Sequence, residues 1–401
     1  MDQERFYRFV REGEIAFLDY PLNGIQVLLP FGKKILRNLE TEILERFGSL
    51  GAEEITLPEA VPSEFLSHLR QGELFTACSE EDSFHLSPSA EVQAAFVASK
   101  IIKSHRQIPL KFFSIGTAHR NGQRRALIKS KEFGFYEANF FYENKEEAEK
   151  GLAESTTSLD KMFKKLGIPT IQVRESDEES AQHKFYTPFK FSGIFGGLAC
   201  SSLIGTRYTQ QFSRGAQSRT QCSFKPYQLN IGLTTRILTA YLAHHSDERG
   251  FVLDKSISPQ EIAIIDPDDS NSALANPEST LLKAGFKVAT FRSSNWRIGQ
   301  ERIFIKGIPI SISLGNSQYL IKRRDTLEEE RTNACNLEPT IKKILAEYSP
   351  RKSTLPVSAL VENQNEFERN RVYLSDKPFD GDLKLLGKTA DNSLAYVVQK
   401  Y

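Results

Sequence analysis

IGLTTRILTAYLAHHSDERGFVLDKSISPQEIAII, residues 231–265, carries a change of structural rhythm. Residues 228–232 read as a short strand, and from about Thr234 the apolar side chains Ile237, Leu238, Tyr241 and Leu242 fall on one face of a helix. Beyond Ser258-Pro259 the elements alternate: strand 261–265, helix 277–284, strand 287–291, a strand pair around Gly307-Ile308-Pro309, and helix 337–348. One unit is therefore expected over 1–257 and a compact α/β unit over 258–350, with a polar stretch, 349–356, leading into a short tail, 351–401.

Towards the N-terminus the pattern differs. Ile35, Leu36, Leu39, Ile43, Leu44 and Phe47 predict a helix over 32–48 capped by Gly48, followed by a strand over 53–57 stopped by Pro58. A second helix is expected over 89–105, with Ser89 as N-cap and Val92, Phe96, Ile101 and Ile102 inward, ended by Pro109. Residues 110–118 and 132–142 are rich in Phe, Tyr and Ile and predict two antiparallel strands, joined by a cationic loop, 120–131. A long amphipathic helix over 145–166 closes at Gly167; a strand over 169–174 and two β-rich pieces, 184–195 and 205–223, complete the unit.

Composition narrows the class. With 401 residues, 39% hydrophobic and 26% charged, the chain is globular and too long for one ordinary core. The net charge is +1, so a polyanion must be met by a local patch rather than a global field. No apolar run is long enough to span a bilayer, and the charged start MDQERFYRFVREGE argues against a secretory signal. Cys78, Cys200, Cys222 and Cys335 form no C-x-x-C pair, which leaves neither a zinc ribbon nor a disulfide framework and makes a reduced, cytoplasmic protein the expectation. The adjacent His244-His245 lacks i, i+4 ligand spacing and reads as a solvated helix end.

Two arginines carry the chemical signal. Arg120 opens the cationic loop at a strand end, and Arg236 lies in the first turn of a helix, where a cation faces the positive end of the macrodipole at about 0.3–1 kcal/mol. Neither placement helps the fold. They read either as solvated surface charges or, with Arg124, Arg125, Lys129 and Lys131, as a clamp on a polyphosphate between a hairpin loop and a helix start.

The order of these units, a long helix and strand ending in Pro58, then strand, basic loop and strand with Arg120, then strand and helix with Gly232 and Arg236, resembles the three motifs of class II aminoacyl-tRNA synthetases. The whole chain is similar to a prolyl-tRNA synthetase of the archaeal and eukaryotic type, shortened. The resemblance rests on LSPSAEVQAAFVASKIIKSHRQIPLKF (86–112), KEFGFYEANFFYENKEEAEK (131–150), residues 231–265 and the terminal LAYVVQKY (394–401). It implies an α+β fold: an antiparallel sheet of six or seven strands flanked by helices and dimerised through the first motif. An α/β anticodon-binding-like domain and a short C-terminal α+β tail without zinc ligands would follow.

The resemblance assigns roles by position. Arg120 matches the arginine holding the α-phosphate and the amino-acid carboxylate, and Arg236 the one on the γ-phosphate; Thr234 lies near the ribose, and Arg125, Lys129 and Thr206 on the nucleotide. Ser89 and Glu91 match the loop over the amino acid, Glu137 the acidic residue of the second motif, and Phe135, Asn139, Phe191 and Tyr208 pocket positions. Ser89 and Glu91 also read as a cap and a first-turn carboxylate, and Phe191 as core. Departures are plain. Gly122 replaces a glutamate, Leu203 stands where a magnesium-linked glutamine is expected, Phe135-Tyr136 replaces Trp-Gln, and Tyr208 and Asn139 replace histidines.

Two functions are expected from this. In the first, ATP with Mg2+ activates proline or another amino acid as adenylate for transfer to tRNA. Arg292, Trp296 and Arg297 of the second unit would then meet the RNA, as single-stranded RNA is met by stacking and phosphate contacts. In the second, a degenerate paralogue acts as a tRNA-binding or protein-binding regulator on the same scaffold. A homodimer, without membrane or DNA as partner, is expected in the first.

Overall fold

The computed structural model describes residues 2–67, 72, 74–78, 83–122, 125–176, 180–189, 191, 194–220, 222–267, 276–315 and 317–350, with the strand backbones 358–360, 372–375, 383–389 and 394–398. A large sheet organises the first part of the chain. Its strands are β1 (Glu53–Glu54), β2 (Leu110–His119), β3 (Glu132–Tyr142), β4 (Ile171–Ser176), β5 (Ala181–Phe189), β6 (Ile194–Gly205) and β7 (Tyr227–Thr234). They lie in the order β4-β5-β6-β7-β3-β2-β1, antiparallel except for the short β1, which runs parallel to β2 at the edge. This is the antiparallel sheet expected from the sequence. Four strands of the tail, Ser358–Leu360, Val372–Ser375, Leu383–Thr389 and Leu394–Val398, extend the same sheet, through a pairing of Lys388 and Thr389 with Arg174 and Val173.

Residue alternation decides what each sheet face meets. Tyr136, Ala138, Phe140 and Tyr142 of β3, with Leu229, Ile231 and Leu233 of β7, are buried in the main core that includes α2 (Pro30–Ser49) and α4 (Lys145–Lys165). The other face carries Phe135, Glu137 and Asn139 opposite Thr234, Gly232 and Asn230, and is roofed by α3 (Glu91–Ile101).

The second sheet has five strands, Ile262–Asp266, Val288–Arg292, Ile310–Leu314, Tyr319–Arg323 and Glu329–Thr332, the first parallel to the next two and the remaining pairs antiparallel. It is joined tightly to the first. The N-terminal helix α1 (Gln3–Glu12) shares a core with Phe251, Ile303 and Phe304, the buried ammonium of Lys306 donates to Glu14 Oε2 at 2.6 Å, and the fully buried Arg324 makes a two-pronged bond to Asp247 at 2.7 and 2.6 Å.

Several boundaries differ from expectation for local reasons. α2 runs past Gly48 to Ser49, because the left-handed residue that breaks the chain is Gly51 (φ 80°). α3 starts at Glu91 and ends at Ile101, whose side chain is 43% exposed rather than inward. The expected strand pair at Gly307 is instead the left-handed cap (φ 77°) of a helix, Trp296–Lys306, which the charged start of that segment disguised. His244 and His245 are buried, not solvated: His244 Nε2 lies 2.8 Å from Thr187 Oγ1, and His245 stacks on Tyr241.

Candidate active site

β3 and β7 set the floor. Along β7 Gln228, Asn230, Gly232 and Thr234 face one way and Leu229, Ile231 and Leu233 the other. Glu137 Oε1 accepts from Asn230 Nδ2 at 3.1 Å, while its Oε2 accepts from the backbone N–H of Ala90 at 2.5 Å, which pins the start of α3 to the sheet. Ser89 caps nothing: its hydroxyl donates to Glu91 Oε1 at 2.9 Å, and the helix begins at Ala90 without a side-chain cap. Gln228 Nε2 bridges the Glu91 carbonyl (2.8 Å) and Asn139 Oδ1 (2.9 Å), and Asn230 also donates to Asn139 at 3.2 Å. Both Glu91 and Glu137 are held above the ordinary carboxylate range, first by burial, Glu137 also by the neighbouring Glu91. Burial followed by Glu91 pushes the Tyr208 hydroxyl up to about 12.

Arg120 divides the site. Its guanidinium lies 5.4 Å above the Phe133 ring and 5.7 Å above Phe135, and its Nε donates to Pro88 O at 3.1 Å. On one side of these rings is a cleft of about 330 Å³ lined by Glu59, Ser87, Ser89, Ser114, Phe135 and Glu137. On the other is a cleft of about 350 Å³ lined by Gln26, Ile128, Phe133, Thr234 and Arg236, among others. Gly232 leaves room for Phe135, since a Cβ there would stand 2.8 Å from its ring. Arg236, first residue of the helix Arg236–His244, turns away from solvent and donates to the carbonyls of Ile128 and Gly197. Burial first, then Arg120, lowers its guanidinium to about 10. Among the described residues neither arginine forms an ion pair.

The cationic loop is a tied turn rather than a free arm. Arg125 and Lys129 exchange backbone hydrogen bonds across Leu127 (φ 67°), Gln26 Oε1 accepts from Leu127 N and Ser130 Oγ, and Thr239 donates to Leu127 O. Arg125 and Lys129 are exposed at its tip, with Arg125 near enough to Tyr7 of α1 to act on its hydroxyl; Arg124 lies outside the described residues. Gly122 has φ 82° and open space around it, so glycine serves the turn.

Four positions are not where the sequence reading put them. Phe191 is stacked on Phe6 at 3.9 Å in the main core, so its core reading holds and the pocket reading does not. Tyr136 faces α2, donating to Glu40 Oε1 at 2.7 Å. Leu203 pairs with Leu229 on the core-facing side and takes no place among the polar groups. Thr206 follows Gly205, which pairs with Gln228, whereas Arg236 reaches Gly197; at about 3.3 Å per residue Thr206 and Gly197 lie roughly 30 Å apart along the β6 direction, at opposite ends of the site. Gln228, Asn230, Ser87 and Glu59 were not singled out from sequence, although the polar-apolar alternation of residues 227–234 in an otherwise buried strand is a visible signal for the first two. In the second unit Arg292, Trp296 (46% exposed) and Arg297 are all solvent-facing, and Arg297 lies 5.6 Å over the Trp296 ring.

Residues 75–245 match the family described as tRNA synthetase class II core domain (G, H, P, S and T). The chain is 28% identical to the proline–tRNA ligase of Metallosphaera sedula, covering 77% of this chain and 71% of that one. It is 27% identical to that of Pyrococcus horikoshii, covering 81% and 74%. Among solved structures it superposes on a prolyl-tRNA synthetase from Cryptosporidium parvum bound to halofuginone and AMPPNP (TM-score 0.85, 17% identity, 98% and 94% coverage). It also superposes on one from Giardia lamblia with prolyl-adenylate (0.82, 18%, 99% and 98%). The chain is thus prolyl-tRNA synthetase-like in sequence over most of its length and carries the class II fold.

Proposed function

We propose that this prolyl-tRNA synthetase-like chain activates an amino acid with ATP as an adenylate and transfers it to tRNA. One observation carries the reading: Arg120 and Arg236 lie close enough for their charges to act on each other, Arg236 donating to backbone carbonyls and Arg120 standing over the rings that part the two clefts, where its charge also reaches Glu91 and Glu137. Like charges held together in a partly buried place cost free energy unless an anion joins them. A polyphosphate running from Arg236 to Arg120 meets that condition, and places its α-phosphate where the second cleft begins.

In that second cleft Glu137 and Glu91 suit the ammonium of an amino acid whose carboxylate reaches Arg120. The carboxylate then attacks the α-phosphorus in line, Arg120 offsets the developing charge, and pyrophosphate leaves past Arg236; positioning and electrostatics suffice, without a side-chain nucleophile. Thr234 lines the nucleotide cleft, Arg125 and Lys129 stand at its loop, and Ser89 and Phe135 line the amino-acid cleft, with Asn139 buried behind Glu137 through Asn230 and Tyr208 close enough to Glu91 to feel its charge. Mg2+ would arrive with the nucleotide, held mainly by its phosphates. Residues 1–257 would hold this chemistry and 258–350 would meet RNA through Arg292, Trp296 and Arg297. The regulator reading loses ground, because Leu203 faces the core and Gly122 serves a turn, so neither marks an abandoned ATP-binding position.

The test is ATP–pyrophosphate exchange with each of the twenty amino acids. Exchange with at least one, abolished by Arg120→Ala, is expected; none with any would sink the proposal.

A further inference from the structure

The charges of this chain are unevenly distributed. Neither residues 92–131 nor residues 180–246 contain a single Asp or Glu, yet these two segments carry sixteen of the 52 Lys+Arg, against a total of 51 Asp+Glu. A chain with a net charge of +1 therefore holds a strongly basic part and a compensating acidic remainder.

Folding brings the early part of the first segment against the middle of the second. After α3 the chain turns through 101–107, a turn locked by Gln107, whose Oε1 accepts from the N–H groups of Lys103 and Ser104 and whose Nε2 donates to Ile101 O. Against it lies the segment after β6. Phe212 of the short helix Thr209–Phe212 packs edge-on to Phe96 of α3, and Gln217 N donates to Lys103 O at 2.9 Å. A small hairpin, Ala216–Gln217 with Ser223–Phe224, is closed by Ser218 Oγ, which accepts from Thr220 N and Cys222 N. Lys100, Lys103, Arg106, Arg214 and Arg219 are all exposed on this surface, and Arg207 continues it to Tyr208. None of the six forms an ion pair among the described residues; nor does Glu64, the acid on the neighbouring turn that packs through Phe65.

A helix C-terminus favours cations, which accounts for Lys100 and Lys103 at the end of α3. It does not account for Arg214 and Arg219, which belong to another segment. Two preorganised turns, drawn from segments that hold no acid of their own, bring exposed cations together and make a surface for closely spaced phosphates. α3 also measures the way to the site: its eleven residues, at about 1.5 Å each, separate Lys103 at the far end of the patch from Glu91 by roughly 15 Å, the rise of about four stacked nucleotides, while Arg207 at the near end is close enough to act on Glu91.

We infer that the surface formed by Lys100, Lys103, Arg106, Arg207, Arg214 and Arg219 binds the RNA backbone next to the 3′ end and delivers that end along α3 to the adenylate. This rests on the reading of the site proposed above. The patch grips phosphates whatever the sequence, so it contributes affinity and register rather than choice of RNA.

The test uses the full chain and unfractionated tRNA in filter binding across a salt series. Arg106→Gln/Arg214→Gln/Arg219→Gln is expected to weaken binding about tenfold or more and to flatten the slope of log K against log salt by roughly 2–3, near 0.9 for each phosphate left without its cation. Lys150→Gln, on the acid-rich helix α4, is expected to change neither. ATP–pyrophosphate exchange by the triple variant should equal that of the unmodified chain, which also reports that it is folded. Unchanged affinity and slope in the triple variant would overturn the inference. Absence of exchange in the unmodified chain would defeat the activation reading alone, since tRNA binding is measured without it.

Discussion

Glu137 is the residue on which pH acts most directly. Burial and the adjacent Glu91 push its carboxyl up to about 8, against 4.5 when free. The folded chain thus keeps a proton that the unfolded chain surrenders, so this group's contribution falls as pH rises from about 4.5 to about 8. Glu137→Gln is expected to remove that part of the slope when urea midpoints of the two proteins are compared across the range; parallel slopes would refute it. A substrate ammonium favours the ionised form, so amino-acid affinity of the unmodified chain should rise over the same interval. Asn139 and Gln228 bear on which amino acid that is. Both are fully buried, Asn139 Nδ2 has no acceptor and Gln228 Oε1 has no donor. An apolar ring offers those atoms nothing, whereas a polar side chain that reached one would relieve about 1–3 kcal/mol, so an amino acid with a polar side chain should be activated better than proline. Efficient proline-dependent exchange, undiminished in Asn139→Ala and Tyr208→Phe, would contradict this. At the nucleotide end Arg236→Ala should weaken ATP by roughly 1.5–3 kcal/mol in calorimetry, the usual loss for a charge-assisted bond.

Strand β3 works as an element with two uses. Alternation hands Phe135 and Glu137 to the site and Tyr136 to α2, where its hydroxyl meets Glu40, itself beside Lys33 and Arg37. Tyr136→Phe leaves that half-compensated carboxylate short of a donor and should lower stability by about 1–3 kcal/mol in denaturant titration. The KM for the amino acid should stay within twofold, because the ring lies on the opposite face from Glu137. A large rise in KM at unchanged stability would show that Tyr136 reaches the pocket after all.

For the molecule as a whole, β1 stands at one edge of the large sheet, and a small hairpin ahead of α2 leaves Phe17, Tyr20, Leu22 and Val27 43–55% exposed. Exposed apolar area of this kind fits a two-fold interface, and light scattering at micromolar concentration should give twice the 45.4 kDa chain mass. A clean monomer mass would dismiss it. The shared core between α1 and the second unit, with the Arg324–Asp247 pair, argues that the two sheets unfold together in a single transition.

Periodicity in the sequence was enough for α2, α4, β2, β3 and the strand-to-helix step at Arg236, because long amphipathic or alternating segments declare which face is buried whatever they pack against. The resemblance to class II synthetases, rather than periodicity, put Glu91, Glu137, Arg120 and Arg236 forward as a group, and in the fold Arg120 lies close enough to act on each of the other three. Register was beyond periodicity. A shift of one residue in a strand exchanges faces, so only the ladder pairing of β3, β7 and β6 could send Tyr136 and Leu203 to the core and bring Gln228 and Asn230 to the floor. Phe191 and Thr206 failed for a related reason, since where they lie depends on strand lengths and partners far away in the chain. The helix at Trp296 hid behind exposed residues at its start, and its packing on α1, Phe251 and the second sheet sustains it. Composition along the chain set the two acid-free segments, while their meeting at Lys103 and Gln217 was decided by the fold, because contacts between distant segments come from packing, which local pattern does not encode.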